Sequence, residues 1–170
     1  MIKQFIIEQK NMLIGFVVVV LVFAFFIWLS QSSGSGSVGV ISGASALTVE
    51  ESLYDFGAIS MSAGKVSHSF VVKNSGDGPV SLTKLYTSCM CTEASLVMGE
   101  RRVGPFGMAG HGFIPPIDEA LEAGQSGTVE VVFDPAAHGP AGVGKIERVV
   151  FLENDSGSPM EITFSATVTP

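Results

Sequence analysis

Two cysteines separated by one residue are the side chains of this sequence best suited to chemistry. Cys89 and Cys91 are its only cysteines, and Met90 lies between them. Side chains two residues apart on an extended strand point the same way, so both sulfurs would face one side. Thiolates are soft ligands that select Cu(I) or zinc, and a methionine thioether adds a preference for Cu(I). The triplet therefore indicates a candidate metal site.

Two further ligands are predicted from the segment that follows the cysteines. Met108 and His111 lie in a glycine-rich stretch that can fold back over the sulfurs. Direct ligation needs bonds of about 2.0–2.3 Å, so these side chains must approach both thiols closely. The predicted ligands of Cu(I) or Zn are Cys89, Cys91, Met108 and His111.

Two other fates of the cysteines stay open. Paired cysteines in an oxidising compartment most often form a disulfide. On an extended strand the Cα atoms of Cys89 and Cys91 would be about 6.6 Å apart, at the outer limit for such a bond. A thiol–disulfide redox role is the third alternative, although the sequence lacks the Cys-x-x-Cys helix start that lowers a thiol pKa.

The histidines outside this segment are interpreted as structural. His68 lies in the middle of a predicted strand, as a surface or packing residue does. His138 follows Asp134 in a loop of glycine and proline, which indicates a hydrogen-bonded turn rather than a catalytic relay. The sequence has no Gly-x-Ser-x-Gly elbow, so a hydrolase triad is not predicted. We therefore expect a protein that is not an enzyme.

The elements that must position the cysteines are β-strands. The chain contains 20 glycines and 15% charged residues, a composition that leans to β-structure. Short alternating segments are separated by turn residues. The predicted strands are 47–49, 54–59, 67–73, 80–86, 125–134, 145–152 and 160–168. About seven strands with turns between them indicate an all-β, immunoglobulin-like β-sandwich.

The connections between these strands are also predicted. Residues 74–79, with the sequence NSGDGP, indicate the tight turn of a hairpin. Gly57 breaks its strand as a bulge or turn does. Residues 93–124 show no sustained period and indicate a long loop, with one helical turn over 118–123. Long loops in compact domains tend to be functional or mobile.

An apolar run precedes the strands. Residues 12–29 carry no charge, and about 18 residues in a helix span roughly 27 Å, close to the thickness of the hydrocarbon core. Trp28 at one end and Lys3 and Lys10 at the other predict a transmembrane helix, a signal anchor, whose N-terminus is cytoplasmic. A cleaved signal peptide is the alternative, because small residues follow the run.

The predicted organisation has four parts. They are a short cytoplasmic segment at 1–11, the transmembrane helix at 12–29, a Ser/Gly-rich linker at 30–46 and an extracytoplasmic sandwich at 47–170. The net charge of −7 repels phosphate backbones, so nucleic acid is not an expected partner. The expected partners are the bilayer and an envelope protein. The predicted function is that of a tethered, non-catalytic binding or structural module of the cell envelope.

Several motifs, in this order, resemble the bacterial DUF1573 family. They are YDFGAI at 54–59, HSFVVKNSGDGPVSL at 68–82, TSCMCT at 87–92, VVFDP at 131–135 and ITFSATV at 162–168. The resemblance covers roughly 47–169 and implies an exported immunoglobulin-like domain of the ASH/MSP type. The family usually has glycine where Met90 stands, and it lacks the long GPFGMAGHG segment at 104–112. The resemblance implies little about activity.

Overall fold

The computed structural model describes residues 46–170. The predicted segments 1–11 and 12–29, and all of the linker 30–46 except its last residue, lie outside the described residues. Within the described part, no helix is long and apolar enough to cross a membrane. The predicted transmembrane helix therefore stays a prediction, and the described residues are those of the predicted sandwich.

The described residues form an all-β, sandwich-like fold of two five-stranded sheets. The strands are β1 Leu47–Val49, β2 Leu53–Ser60, β3 Val66–Asn74, β4 Val80–Thr87, β5 Thr92–Met98, β6 Arg101–Phe106, β7 Glu119–Leu121, β8 Ser126–Phe133, β9 Gly144–Asn154 and β10 Met160–Thr169. Two short 3₁₀ helices cover Met61–Ala63 and Gly139–Gly142. The strand order is β1-β3-β8-β5-β6 in the first sheet and β2-β10-β9-β4-β7 in the second.

Alternation along the strands places the core where the sequence predicts it. In β8, Val129 and Val131 are fully buried, and Glu130 between them is partly exposed. In β10, Ile162 and Phe164 are fully buried in the same alternating way. Successive side chains on a strand point to opposite faces, so each sheet contributes one apolar face to the core. The predicted all-β class is confirmed.

The connection between β3 and β4 is not the predicted hairpin. β3 pairs with β1 and β8 in the first sheet, whereas β4 pairs with β7 and β9 in the second. Phe70 of β3 and Leu82 of β4 are both buried, and crossing from one sheet to the other lets both face one core. Alternation indicates a half-buried strand, but it does not identify the partner of that strand.

The segment 93–124 is not one long loop, since it contains most of β5 and all of β6 and β7. β5 pairs antiparallel with β6 and β8, and β7 pairs with β4. The predicted helical turn over 118–123 is wrong, because Glu119–Leu121 is a strand whose Leu121 is fully buried. β5 lacks alternation because the consecutive residues 94–96 are all buried. These added strands exceed the predicted number of about seven.

Of the two alternatives predicted at Gly57, a bulge or a turn, the structure shows a bulge. β2 pairs in parallel with β10, and the register shifts so that two residues of β2 oppose Ala166 alone. Gly57 has a φ of 70°, a backbone conformation that residues with a Cβ atom rarely adopt. Its backbone N–H donates to Oδ1 of Asp55 at 2.9 Å.

Candidate metal site at a sheet-crossing turn

The two cysteines lie on the turn that carries the chain from the second sheet to the first. β4 ends at Thr87 and β5 begins at Thr92. The N–H of Thr92 donates to the carbonyl of Cys89 at 3.1 Å, and the buried hydroxyl of Thr87 lies 3.0 Å from the carbonyls of Cys89 and Thr92. The segment around Cys91 is therefore a turn, and the extended geometry assumed from the sequence is wrong.

Two further strands hold this turn in place. The N–H of Ser88 donates to the carbonyl of Val149 at 2.9 Å, and the N–H of Val149 donates to Oγ of Ser88 at 2.9 Å. These bonds extend the pairing of β4 with β9. The N–H of Asp134, directly after β8, donates to the carbonyl of Cys91 at 2.9 Å. The residues that follow β8 and those along β9 are therefore brought next to the sulfurs.

His138 is the residue of the site that sequence reasoning missed. Its Nε2 lies 3.1 Å from Sγ of Cys89, although the residue was predicted to belong to a turn with Asp134. The turn exists, since Oδ1 of Asp134 accepts from the N–H of Ala136 at 2.9 Å. A Cβ at Gly142 would lie 3.1 Å from the Cβ of His138, so glycine lets the following 3₁₀ helix pack closely against the histidine.

Two sulfurs and one imidazole nitrogen converge at this turn. Sγ of Cys89, Sγ of Cys91 and a ring nitrogen of His138 all lie within 4.8 Å of one another. Bonds of zinc to sulfur and nitrogen, about 2.3 and 2.0 Å long in a trigonal arrangement, place the donor atoms about 3.7–4.0 Å apart. Small side-chain rotations would thus let the three hold one ion, with the imidazole proton on Nδ1.

The other two predicted ligands lie on the loop that follows β6. The carbonyl of Gly107 accepts from the N–H of Thr87 at 3.0 Å, and Met108 forms a parallel bridge with Thr87. His111 is exposed, and its N–H donates to the carbonyl of Met108 at 3.3 Å. Among the described residues, the group of three converging donors does not include His111. Ligation by Met108 and His111 stays a prediction.

Both cysteines are free thiols in the structure. Cys89 is 8% exposed and Cys91 is 2% exposed. The N–H of Cys91 donates to Sγ of Cys89 at 3.4 Å, so the turn holds the two residues close together. The alternative of a disulfide between them, and that of thiol redox chemistry, both stay predictions.

Arg148 brings a positive charge to the second thiol. Its Nε donates to Sγ of Cys91 at 3.4 Å, and its Nη1 donates to the carbonyl of Glu147 at 2.7 Å. Arg148 lies in the inward-facing row of β9 that also contains the fully buried Val150 and Leu152. Charged side chains are uncommon in such rows unless they have a partner. The thiol of Cys91 is that partner.

The surroundings give the two thiols different acidities. Burial opposes ionisation of Cys89, but hydrogen bonds with Cys91 and His138 and the charge of Arg148 outweigh it and lower its pKa from 9.0 to about 7. Burial and the hydrogen bond with Cys89 raise the pKa of Cys91. Cys89 is therefore the thiol that ionises first. Metal ligation requires both thiolates, so a bound ion would displace the remaining proton.

The fold and the site together define an all-β sandwich with a thiol–imidazole cluster at one of its crossing turns. The model of the DUF1573 family, described as a protein of unknown function, matches residues 47–103. The match confirms the resemblance seen in the sequence. It covers both cysteines, whereas His138 and Arg148 lie outside the matched segment. No curated protein is similar enough to this sequence to count as a match.

The solved structures that this chain matches include bacterial and human proteins. A protein of unknown function from Porphyromonas gingivalis W83 is 15% identical, with a TM-score of 0.53 over 71% of this chain and 46% of that chain. The ASH/PapD-like domain 7 of human CEP192 is 12% identical, with a TM-score of 0.45 over 74% of this chain and 86% of that chain. The secreted serine protease VesC from Vibrio cholerae is 12% identical, with a TM-score of 0.48 over 75% of this chain and 24% of that chain.

The likeness to the Porphyromonas gingivalis protein concerns the fold alone. This chain spans less than half of the Porphyromonas gingivalis protein, at 46% of its length. Function must therefore be argued from the site.

Proposed function

We propose that this protein is a non-catalytic module of the cell envelope that binds a soft metal ion, Cu(I) or Zn(II), through Cys89, Cys91 and His138. The observation that carries the proposal is the convergence of two thiols and one imidazole within 4.8 Å. Thiolates and imidazoles are ligands that these ions prefer. His138 and the 56% exposed Met90 lie beside the buried sulfurs, which gives the ion a path from solvent.

In this proposal the module is anchored to the membrane and exported. Residues 12–29 span the bilayer, and the linker 30–46 holds the sandwich outside the cytoplasm. The uncharged apolar run and the lysines before it support this orientation. The test is protease treatment of intact spheroplasts, which should digest the sandwich. Protection of the sandwich in intact spheroplasts, with digestion after lysis, would contradict the orientation.

The proposed envelope partner contacts the loop between β6 and β7. Phe113 in this loop is 88% exposed, and exposed aromatic side chains are enriched in protein interfaces. Crosslinking in envelope fractions should capture a partner with the wild-type chain. It should capture less with Phe113→Ser, while the surface change Lys145→Gln on β9 has no effect. Equal capture by Phe113→Ser would exclude the loop as the contact.

Metal content tests the site itself. The full-length chain is purified in detergent under anaerobic conditions with a phosphine reductant, loaded with Cu(I) or with Zn(II), and desalted. We expect one ion per chain, and loss of that ion in Cys89→Ser and in Cys91→Ser. Removal of one of three ligands in His138→Gln should weaken binding by at least about tenfold. A reduced wild-type chain that retains neither ion would overturn the proposal.

His111 and Met108 supply the matched controls. His111→Gln makes the same chemical change as His138→Gln, but at the histidine predicted from the sequence. Retention of the ion in His111→Gln and Met108→Leu, with weakening in His138→Gln, supports the three-ligand site. The reverse pattern would favour the four-ligand site of Cys89, Cys91, Met108 and His111.

A second role, thiol–disulfide exchange, is favoured by the two free thiols on one turn. One thiolate attacks a partner disulfide and releases a partner thiol. The other then displaces the second partner thiol and leaves a bond between Cys89 and Cys91. The partner gains two electrons and the cysteine pair loses two. Insulin reduction with a thiol reductant tests this role, and a rate no higher than that of Cys89→Ser would exclude it.

A further inference from the structure

We infer that Arg148 makes this site selective for a monovalent soft cation, Cu(I), over the divalent Zn(II). The inference rests on the proposed metal site and adds the identity of its ion. Arg148 is not one of the three ligands, and its Nε lies 3.4 Å from Sγ of Cys91. The positive charge of the guanidinium therefore lies next to one of the ligand atoms of the proposed ion.

The guanidinium is held at this place by the fold. Arg148 pairs with Phe164 of β10 within the second sheet, and its Nη1 donates to the carbonyl of Glu147 at 2.7 Å. Its side chain belongs to the inward-facing row of β9, next to the fully buried Val150. The hydrogen bonds to Sγ of Cys91 and to the carbonyl of Glu147 hold the guanidinium beside the site. Any ion bound to Cys91 must therefore accommodate the neighbouring charge.

The charges around the ion favour the monovalent cation. Two thiolates, one Cu(I) ion and one guanidinium sum to zero, whereas Zn(II) in the same place leaves one excess positive charge. Uncompensated charge is costly where the sulfurs are buried, and Cys91 is 2% exposed. The guanidinium also repels a divalent ion twice as strongly as a monovalent one. Three protein donors suit Cu(I), whereas Zn(II) needs a fourth ligand to complete its tetrahedron.

The ratio of Cu(I) affinity to Zn(II) affinity tests the inference. The full-length chain in detergent, reduced and anaerobic, is titrated against a chromophoric Cu(I) chelator and separately against a chromophoric Zn(II) chelator. Arg148→Gln removes the charge, so the affinity for Zn(II) should rise relative to that for Cu(I). The ratio of Cu(I) affinity to Zn(II) affinity should then fall by roughly tenfold or more. Arg148→Lys keeps the charge and should recover a large part of the wild-type ratio. A purely structural role would weaken both ions together and leave the ratio unchanged.

Lys145→Gln is the matched control, because it removes the same charge from the exposed face of the same strand. The ratio in this variant should equal that of the wild type. If circular dichroism shows that Arg148→Gln does not fold, Arg148→Lys, which keeps the charge, is compared with Arg148→Met, which removes it. An unchanged ratio in folded variants without the charge would overturn this inference alone. A wild-type chain that binds neither ion would overturn both this inference and the proposed function.

Discussion

Among the turns that cross from one sheet to the other, two neighbouring ones, β3–β4 and β4–β5, both bury polar side chains. The turn between β3 and β4 begins at Asn74, which is 0% exposed. Its Nδ2 donates to the carbonyls of Gly78 and Leu121 at 2.8 Å, and its Oδ1 accepts from the N–H of Gly76 at 2.9 Å. Each of these partners is a main-chain group. The side chain acts as a fixed part of the fold.

The turn between β4 and β5 directs the sulfurs of its two cysteines toward other side chains. The sulfurs of Cys89 and Cys91 contact the imidazole of His138 and the guanidinium of Arg148. These partners come from a loop and a strand far along the chain. Both turns satisfy their buried polar groups, as folded proteins must. The two turns differ in the chemistry of these groups. The amide of Asn74 and its main-chain partners have no proton that a metal ion could displace, whereas two thiols and an imidazole can lose protons and bind a metal ion.

The largest effect is expected at the first turn, on stability. Asn74→Ala removes three hydrogen bonds and leaves the buried carbonyl of Leu121 without its Asn74 partner. We expect the free energy of unfolding to fall by about 2–4 kcal/mol, measured by urea denaturation. Metal binding by the folded fraction should be unchanged. The control is Asn154→Ala, whose Nδ2 donates at 3.3 and 3.5 Å and whose Oδ1 accepts from the N–H and the hydroxyl of Ser156 at 3.0 and 2.6 Å. Because this turn is partly exposed, water can replace the lost partners and a smaller loss is expected.

A loss in Asn74→Ala no greater than in Asn154→Ala would remove the contrast between the two turns. It would mean that the buried amide is replaceable by water or by a rearranged main chain.

The next largest effect is expected at the second turn, on binding. His138 is exposed, so His138→Ala should change the free energy of unfolding of the metal-free protein by less than about 0.5 kcal/mol. Competition with a chelator should nevertheless reveal weaker metal binding, by about ten- to a hundredfold. Destabilisation of the metal-free protein to the same degree as in Asn74→Ala would instead make His138 a structural residue.

The strands and the two cysteines could be predicted from the sequence because both are local signals. Alternation over β8 and β10 requires one buried face, whatever the partner strand is. Two thiols one residue apart indicate soft-ligand chemistry in any fold. The first turn shows the limit of this reasoning. Its glycines and Asn74 were assigned correctly to a turn, but the turn joins two sheets instead of two paired strands.

The partners of the sulfurs could not be predicted, because strand pairing places them there. Thr92 pairs with Phe133 at the start of β5, so the residues after β8 lie beside the cysteines. The pairing of Thr87 with Val150 likewise brings β9 to the same turn. β5 itself escaped detection because three consecutive buried residues remove its alternation. Without β5 in the predicted sheet, nothing connected His138 or Arg148 to Cys91.

A third effect concerns the acidity of the two thiols in the reduced, metal-free protein. The pKa of Cys89 is lowered to about 7, and that of Cys91 is raised. The thiolate is the reactive form, so alkylation of Cys89 should reach half its maximal rate near pH 7, and that of Cys91 at a higher pH. Tandem mass spectrometry of the iodoacetamide-labelled peptide from the wild-type protein, in which both thiols keep their hydrogen bonds, assigns the label to Cys89 or to Cys91 at each pH. Identical profiles would mean that the turn does not distinguish the two sulfurs.

The smallest effect is expected for alanine at two glycines of the first turn. A Cβ at Gly76 would lie 2.8 Å from the Cβ of Ala46 and 3.2 Å from Oδ1 of Asn74, whereas a Cβ at Gly78 meets nothing within 4 Å. Because the main chain fixes the amide of Asn74, Gly76→Ala should lower the free energy of unfolding by about 1 kcal/mol, and Gly78→Ala should leave it equal or slightly higher. Equal denaturation midpoints would show that both Ala46 and Asn74 can shift, and the first turn would then be as adaptable as the turn that holds the thiols.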